Sequence, residues 1–300
     1  MFFSALAAAC LFASVIGVAV FVRVASHPRW LDVPNERSSH DVPTPRGAGL
    51  VIVVVVSAAM AWAAAVGLVR LDATAGAALV IAGISAIDDV RPLPSWLRLL
   101  VHLACAVIVV MTVRGPGGTV LTLPVMIIAV VWVVGLTNAY NFMDGIDGIS
   151  GAQAVVAGVA FTLAALKGGL TGTAVCAIAI ASASGGFLIH NWSPARVFMG
   201  DVGSAFLGFS FAVMGLQIAA WSPSAALAAA LSLWPFILDT TLTFLRRAFR
   251  GENVLQSHRS HVYQRLVIAG WSHSRVTVLY ALTAALGALA GLAWVLRIGR

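Results

Sequence analysis

The sequence predicts an all-α protein, a polytopic membrane bundle of about ten transmembrane helices, and three observations predict it. Only 10% of its 300 residues are charged and 60% are hydrophobic, whereas soluble domains carry about 25% charged residues. The mean hydropathy is +0.98. Apolar runs of about 20 residues, the length that crosses a bilayer, recur along the whole chain. Helices are the expected form, because lipid offers no partner to backbone N–H and C=O groups. No stretch is polar and long enough for a separate soluble domain, so residues 1–300 read as one integral membrane unit.

The expected spans, in order, begin with residues 2–24. This run lacks the basic start and small-residue cleavage site of a signal peptide, so it is read as a span. The connection that follows contains Pro34, Pro43 and Pro45, which forbid a regular helix. Arg37, His40 and Arg46 are spread along it, and a structured loop over a site and a plain basic connector are equally open readings. Spans 48–69 and 73–88 come next; the latter ends on Asp88-Asp89, with Pro92 behind it. Spans 96–113 and 121–138 flank the turn "VRGPGGTV". Spans 151–167 and 171–190 are rich in Ala and Gly, which suits close helix packing. Spans 204–221, 224–247 and 274–297 complete the set. Pro235 is expected to break the ninth. Cys10, Cys105 and Cys176 all fall within spans and read as small apolar residues, with neither a disulfide framework nor a zinc site.

Charge sets the expected orientation. Most of the 18 Lys and Arg residues flank the odd-numbered connections, from Arg23 and Arg46 through Arg91, Arg98 and Arg196 to Arg246, Arg247 and Arg265. Arg70, Arg114, Lys167, Arg297 and Arg300 lie on the other side. The basic-rich side is expected to be cytoplasmic, with both termini facing away from it. The acids fall on the same side, Asp72 excepted. Polar chemistry is therefore expected on one membrane face, gathered from loops far apart in the chain.

Six places on that face carry it. Asp88 and Asp89 are adjacent carboxylates at a membrane boundary, which repel unless a cation or basic partner is near. In "TNAYNFMDGIDG", Asp144 and Asp147 are three apart and share a face on a helical turn; Asn138 and Asn141 precede them. The spacing excludes an EF-hand loop, although a turn with a helix cap would use the same residue types. "NWSPARVFMGDVGS" sets Asp201 between Gly200 and Gly203 before a helix, where backbone amides can hold phosphate and the carboxylate a metal; Asn191, Arg196 and Phe198 accompany it. In "SHRSHVYQRL", His258, His261 and Arg265 share a face if helical and suit anionic oxygen better than zinc. The Arg46 loop is the fifth. Asp239, inside the ninth span, is a functional-site hypothesis by its depth alone. Carboxylates, Gly-flanked loops and His/Arg donors together describe a divalent cation and a phosphorylated substrate. Nothing points to nucleic acid.

At these residues the chain resembles the polyprenyl-phosphate N-acetylhexosamine-1-phosphate transferases. "DVPNERSSHDVPTPRGAG", "DDVRPL", "NAYNFMDGIDG", "NWSPARVFMGDVGS" and "HRSHVYQRL" carry the resemblance, in order and over nearly the whole chain. It implies a bacterial inner-membrane enzyme of ten or eleven helices with a cytoplasmic active site. Such an enzyme moves a sugar 1-phosphate from a UDP-sugar to undecaprenyl phosphate, releases UMP and uses Mg2+ or Mn2+. The resemblance further implies Asp201 as metal ligand and Asp88 and Asp89 as a catalytic pair near the lipid phosphate. It implies Asn138, Asn141, Asp144 and Asp147 near the nucleotide, Asn191 and Phe198 beside the uridine, and Arg46 on the substrate. His258, Arg259 and His261 are implied at the diphosphate or sugar. "HRSHVYQRL" departs from the His-rich "HxHHH" segment of the muramoyl-pentapeptide branch. The expected branch is therefore the one that starts O-antigen and related surface polysaccharides of the lipopolysaccharide class. Its expected donor is UDP-GlcNAc or a UDP-6-deoxy-N-acetylhexosamine. A homodimer is compatible with the sequence.

Two other readings are weaker. A secondary transporter also carries charges in its helices, but near the midplane and with inverted repeats. Here the charges crowd one edge and no repeat is present. A CDP-alcohol phosphotransferase begins with D-x-x-D-G, which Asp144, Asp147 and Gly148 satisfy. Its following A-R falls on Gly151-Ala152, and its later spaced Asp pair is missing.

Overall fold

The computed structural model describes residues 1–25, 30–32, 42–115, 118–252 and 259–298. The apolar runs become helices: α1 (Phe2–Val24), α2 (Gly49–Ala65), α3 (Ala73–Val90), α4 (Ser95–Thr112), α5 (Leu123–Met143), α6 (Ile149–Lys167), α7 (Thr171–Asn191) and α8 (Asp201–Trp221). The ninth run is broken, as Pro235 predicts, into α9 (Pro223–Ala230), a 3₁₀ turn (Leu231–Leu233) and α10 (Trp234–Phe249). A short α11 (Val262–Ile268) and a long α12 (His273–Ile298) follow. Among the described residues nine segments are long and apolar enough to cross a membrane, and the 17-residue α2 is a shorter apolar helix. The chain is thus a multi-pass helical membrane bundle.

α8 is its axis. It packs against α5, α3, α2 and α9, and 83% of its apolar window is buried. Around it α6 packs on α7, α1 on α7, and α12 on α6 and α9. Exposed Leu, Val and Ile on α4, α5 and α12 face outward, the pattern of helices solvated by lipid tails.

Several helix ends differ from expectation, and the differences build the site. α3 runs two residues past the expected end and takes Asp88 and Asp89 into its last turn. α5 continues to Met143, so Asn138 and Asn141 sit on its final turns. α8 starts at Asp201, not after it. The Pro-rich connection resolves toward a structured loop: Leu31–Asp32 (β1) pairs antiparallel with Thr44–Pro45 (β2). Arg46 then forms a parallel bridge with Phe198. Phe198 O accepts both Gly47 N–H and Ala48 N–H at 3.1 Å, and Gly49 N–H donates to Met199 O at 2.8 Å. This seam requires Gly49 and Gly203 to meet backbone to backbone, since a Cβ on Gly49 would run into Gly203 Cα. Gly200, with φ of 76°, makes the turn into α8 in a conformation that L side chains rarely adopt.

Candidate functional site

Four helix ends and the Arg46 loop converge at one face of the bundle. Asp88 and Asp89 come from the end of α3, Asp201 from the start of α8, Arg98 from the first turn of α4, and Asn141 from the last turn of α5. Two guanidinium groups hold the three carboxylates. Arg46 Nε lies 3.0 Å from Asp89 Oδ1, and its Nη2 lies 2.6 Å from Asp201 Oδ1. Arg98 Nη1 bridges Asp88 Oδ2 at 2.6 Å and Asp201 Oδ2 at 2.9 Å. Asn141 Nδ2 is 3.5 Å from Asp201 Oδ2, and its Oδ1 accepts the Ser204 hydroxyl at 2.9 Å.

The two adjacent aspartates have different environments. Asp89 is 2% exposed in its side chain and has no free edge. It accepts Asp201 N–H at 2.9 Å and Val202 N–H at 3.0 Å, besides Arg46. It therefore caps α8 from another helix, placing a carboxylate where the N-terminal amides and the helix dipole favour one. Asp88, at 11%, accepts Leu93 N–H at 2.6 Å and turns its other oxygen to Arg98 and Asp201. Of the two residues expected as a catalytic pair, Asp88 faces the cluster, while Asp89 holds together the elements that form it.

Asp144 follows α5 and borders the same cluster. Burial pushes its carboxyl up to about 7, and the charges of Asp201 and Asp89 add to this against Ser150 and Arg46. The pKa of Arg46 is raised as well: burial would lower it, but Asp201, Asp89, Asp32 and Asp144 outweigh burial and keep it charged. Four carboxyl groups, Asp88, Asp89, Asp144 and Asp201, thus gather at this face around two guanidiniums. A hard divalent cation fits such a donor set of carboxylate and amide oxygens. Among the described residues no group of three His, Cys, Asp or Glu side chains is arranged to hold a metal alone. Magnesium needs no such cage, because it keeps waters and takes substrate phosphates as ligands.

Other expected site residues lie apart from this cluster. Asp147 pairs with His273 of α12 at 3.3 Å and accepts Ala195 N–H at 3.2 Å. Burial raises its pKa, but His273, Ala195 and Ser193 outweigh that and hold it below the ordinary carboxylate range. Asn191 is buried, accepting Gly148 N–H at 3.0 Å and donating to Val197 O at 2.8 Å. It ties the "DGIDG" loop to the loop before α8 and presents no polar atom for a uridine. His261 is likewise buried, 3.2 Å from Asp239, and it caps α11. In this structure all three are enclosed by partners of their own and brace neighbouring elements. Asn138 donates to Val134 O at 2.7 Å and lies 3.4 Å from His102 Nδ1. Phe198 is half-buried beside Arg46, and Arg259 is half-buried before α11. His258 lies outside the described residues, as do Arg37 and His40.

Asp239 finds a clear role. Its oxygens accept Val262 N–H at 2.8 Å, Tyr263 N–H at 3.0 Å and the Tyr280 hydroxyl at 2.6 Å. It caps α11 as Asp89 caps α8. α11 in turn seats the fully buried Tyr263 under the "DGIDG" loop, with its hydroxyl on Phe142 O at 3.0 Å. A Cβ on Gly145 would collide with that hydroxyl.

Sequence reasoning missed Arg98 as a site residue and His102 altogether. Arg98 reads as one more basic flank, yet it joins Asp88 to Asp201. The signal was present: Arg98 and His102 are i and i+4 on an otherwise apolar helix, which puts both on one face. His102 is 3% exposed and its Nε2 has no hydrogen-bond partner.

Residues 71–219 match glycosyl transferase family 4, a stretch that includes Asp88, Arg98, Asn141 and Asp201. The chain is 29% identical over 270 residues to a probable undecaprenyl-phosphate N-acetylglucosaminyl 1-phosphate transferase of Bacillus subtilis, covering 86% of this chain and 75% of that protein. It is 33% identical over 119 residues to a decaprenyl-phosphate N-acetylglucosaminephosphotransferase of Mycolicibacterium smegmatis, covering 35% and 29%. It is also 33% identical over 135 residues to a phospho-N-acetylmuramoyl-pentapeptide-transferase of Shouchella clausii, covering 44% and 39%. The chain thus spans three quarters of the first relative and well under half of the other two.

Proposed function

Given that the chain belongs to glycosyl transferase family 4, the polyprenyl-phosphate N-acetylhexosamine-1-phosphate transferases, we propose that it transfers an N-acetylhexosamine 1-phosphate from a UDP-sugar to undecaprenyl phosphate. UMP leaves, and the product is the lipid-diphosphate sugar that starts a surface polysaccharide. N-acetylglucosamine or a 6-deoxy relative is the proposed sugar. The names of the Bacillus and Mycolicibacterium relatives favour the N-acetylglucosamine type over the muramoyl-pentapeptide type. The observation that carries the proposal is the convergence of Asp88, Asp201, Asn141, Arg46 and Arg98 at the helix ends of one face.

In this reading the face is cytoplasmic, where UDP-sugars are made, and the membrane is the bacterial inner membrane. Asp201 and Asp88, with Asn141 beside them, would hold Mg2+ or Mn2+. Such an ion supplies neutralisation of the diphosphate and of the leaving UMP. Arg46 and Arg98 offer planar forks of N–H donors that suit phosphate oxygens. They exchange part of their carboxylate contacts for the substrate. Phe198, backbone-locked to Arg46, offers an aromatic face at the rim for the uridine. The acceptor phosphate has a second pKa of about 6 and is largely ionised at neutral pH. It therefore needs positioning more than a strong base. Its oxygen attacks the β-phosphorus directly, forming the new P–O bond as the bond to the UMP oxygen breaks.

The test is purified protein with undecaprenyl phosphate, a divalent cation and a panel of UDP-sugars, read by UMP release and by the lipid-linked product. Wild type is expected to turn over at least one UDP-N-acetylhexosamine, and Asp201→Asn to lose turnover while still binding lipid. Absence of turnover across the panel, or full activity in Asp201→Asn, refutes the proposal.

A further inference from the structure

A cavity lies toward the end of α8 opposite Asp201, away from the carboxylates. Its volume is about 660 Å³, within the range of about 300–1,000 Å³ for small-molecule sites. α8 forms its floor from Phe206 to Ala220, and α2, α3 and the ends of α4 and α7 form its walls. The fourteen steps of about 1.5 Å between these two residues give a floor about 21 Å long. One leaflet of hydrocarbon is about half of ~30 Å, so an acyl chain fits along it.

Polarity is graded along this length. The deep part is apolar, with Val56, Met60, Phe206, Phe209 and Val213. The mouth has Arg70, Asp72 and Arg114, with Thr173 and Gln217 just inside. Asp72 is engaged: its carboxylate caps α3 by accepting Thr74 N–H at 2.9 Å. Arg70 and Arg114 are both exposed. Arg114 donates one N–H to Met111 O at 3.2 Å, and a guanidinium has five. The Gln217 carbonyl accepts the Thr173 hydroxyl at 2.8 Å, which leaves its amide N–H groups as donors at the mouth. Two cations, one committed anion and amide donors over an apolar slot describe a complement to a phosphate with a hydrocarbon tail.

We propose that this cavity binds an anionic glycerophospholipid from the leaflet on that side, with its phosphate between Arg70 and Arg114 and one acyl chain along α8. The site is separate from the transfer chemistry and does not rest on it. Its ligand contacts the helix whose other end carries Asp201, so occupancy braces α8 along its length.

Native mass spectrometry of the full chain, with phosphatidylglycerol and phosphatidylcholine offered in competition, tests this. Wild type is expected to retain phosphatidylglycerol about tenfold over phosphatidylcholine, the order given by two juxtaposed basic side chains. Millimolar inorganic phosphate should not displace it. Arg70→Ala combined with Arg114→Ala should bring the two lipids to parity. Ala75→Trp, which fills the wall, should lower retention of both lipids while the melting temperature in lipid-free micelles holds. No preference in wild type, a preference that survives the double substitution, or retention of a polyprenyl phosphate in place of phosphatidylglycerol overturns the proposal.

Discussion

Asp88 and Asp89 are neighbours with the same side chain, and the structure gives them opposite sensitivities. Asp89 accepts two backbone N–H groups of α8 and the Arg46 guanidinium from a position with 2% exposure. Hydrogen bonds to charged groups contribute about 1.5–3 kcal/mol each. Arg46 keeps its contact with Asp201 and is 38% exposed, so losing the Asp89 pair adds at most about 1 kcal/mol. Asp89→Asn keeps one acceptor oxygen but turns an amide toward an N–H donor and removes the charge facing Arg46. Its expected cost is about 3 kcal/mol, and that of Asp89→Ala about 4 kcal/mol. On the scaling of soluble domains, Asp89→Asn should lower Tm by roughly 6–12 °C. Asp88→Asn keeps an acceptor for Leu93 N–H and eases repulsion with Asp201; it gives up the part-exposed Arg98 contact, and Arg98 keeps Asp201, so its cost is expected at about 1 kcal/mol. The assay is thermal unfolding in detergent beside UMP-releasing turnover. Asp88→Asn should lose turnover at near-native Tm, and Asp89→Asn should lose both. A native Tm for Asp89→Asn with turnover abolished would mean that Asp89 acts in the chemistry, and the capping argument fails.

Asp239→Asn should free the α11 N-terminus, since the carboxylate accepts from Val262, Tyr263 and Tyr280; hydrogen exchange should show lost protection in 262–268 before the rest of the bundle opens. Gly145→Ala places a methyl against the Tyr263 hydroxyl, so it should lower Tm, and Tyr263→Phe should recover part of the loss in the double variant; additive losses would exclude that contact as the cause. Asp147 and Asp144 predict opposite pH signatures. The folded pKa of Asp147 lies below its ordinary 3.8, so its stabilisation is present above that value and is lost as pH falls through the lower one. Asp147→Asn should flatten the acid limb of Tm against pH. The carboxyl of Asp144 is raised from 3.8 to about 7, so its contribution is complete below about pH 4 and is lost as pH rises through 7. Asp144→Asn should remove that decline, and an unchanged slope from pH 4 to 8 in this variant would refute the assignment.

Much of the fold was legible because membrane helices are written in composition. The ten runs, the break at Pro235 and the gathering of acids at one edge follow from the length and polarity of each segment. The carboxylates of residues 88, 144 and 201 were expected to meet: Asp88 and Asp201 share Arg98, and Asp144 lies within the electrostatic reach of Asp201. What composition does not encode is direction. Asp88 and Asp89 are indistinguishable until helix phase turns one toward Arg98 and the other toward the α8 amides. Asp144 and Asp147 share a face on an ideal helix, but the backbone leaves the helix after Met143 and Gly148 starts a new one, so the two carboxylates part. Arg98 was hidden for the opposite reason: near the end of an apolar helix, a site arginine and an orientation arginine have the same sequence environment.

Four of the residues that the sequence marks out for chemistry share one physical role. Asp89, Asp239, Asn191 and Asp147 each use side-chain oxygens on backbone N–H groups of another element: Asp89 at α8, Asp239 at α11, Asn191 at Gly148, Asp147 at Ala195. Water normally satisfies such groups at helix ends and in loops, but at a membrane boundary packed by its neighbours it is excluded. A polar residue from elsewhere in the chain must then do so, and these bonds tie together the loops that carry Asp144, Asp201 and Arg46. The reacting group and its brace are both acids or amides flanked by glycine, so a motif holding both looks uniformly catalytic. The separating feature is where the oxygens end: both of Asp89's end on backbone amides, one of Asp88's does, and those of Asp201 and Asn141 meet side chains, so the proposed metal site centres on Asp201.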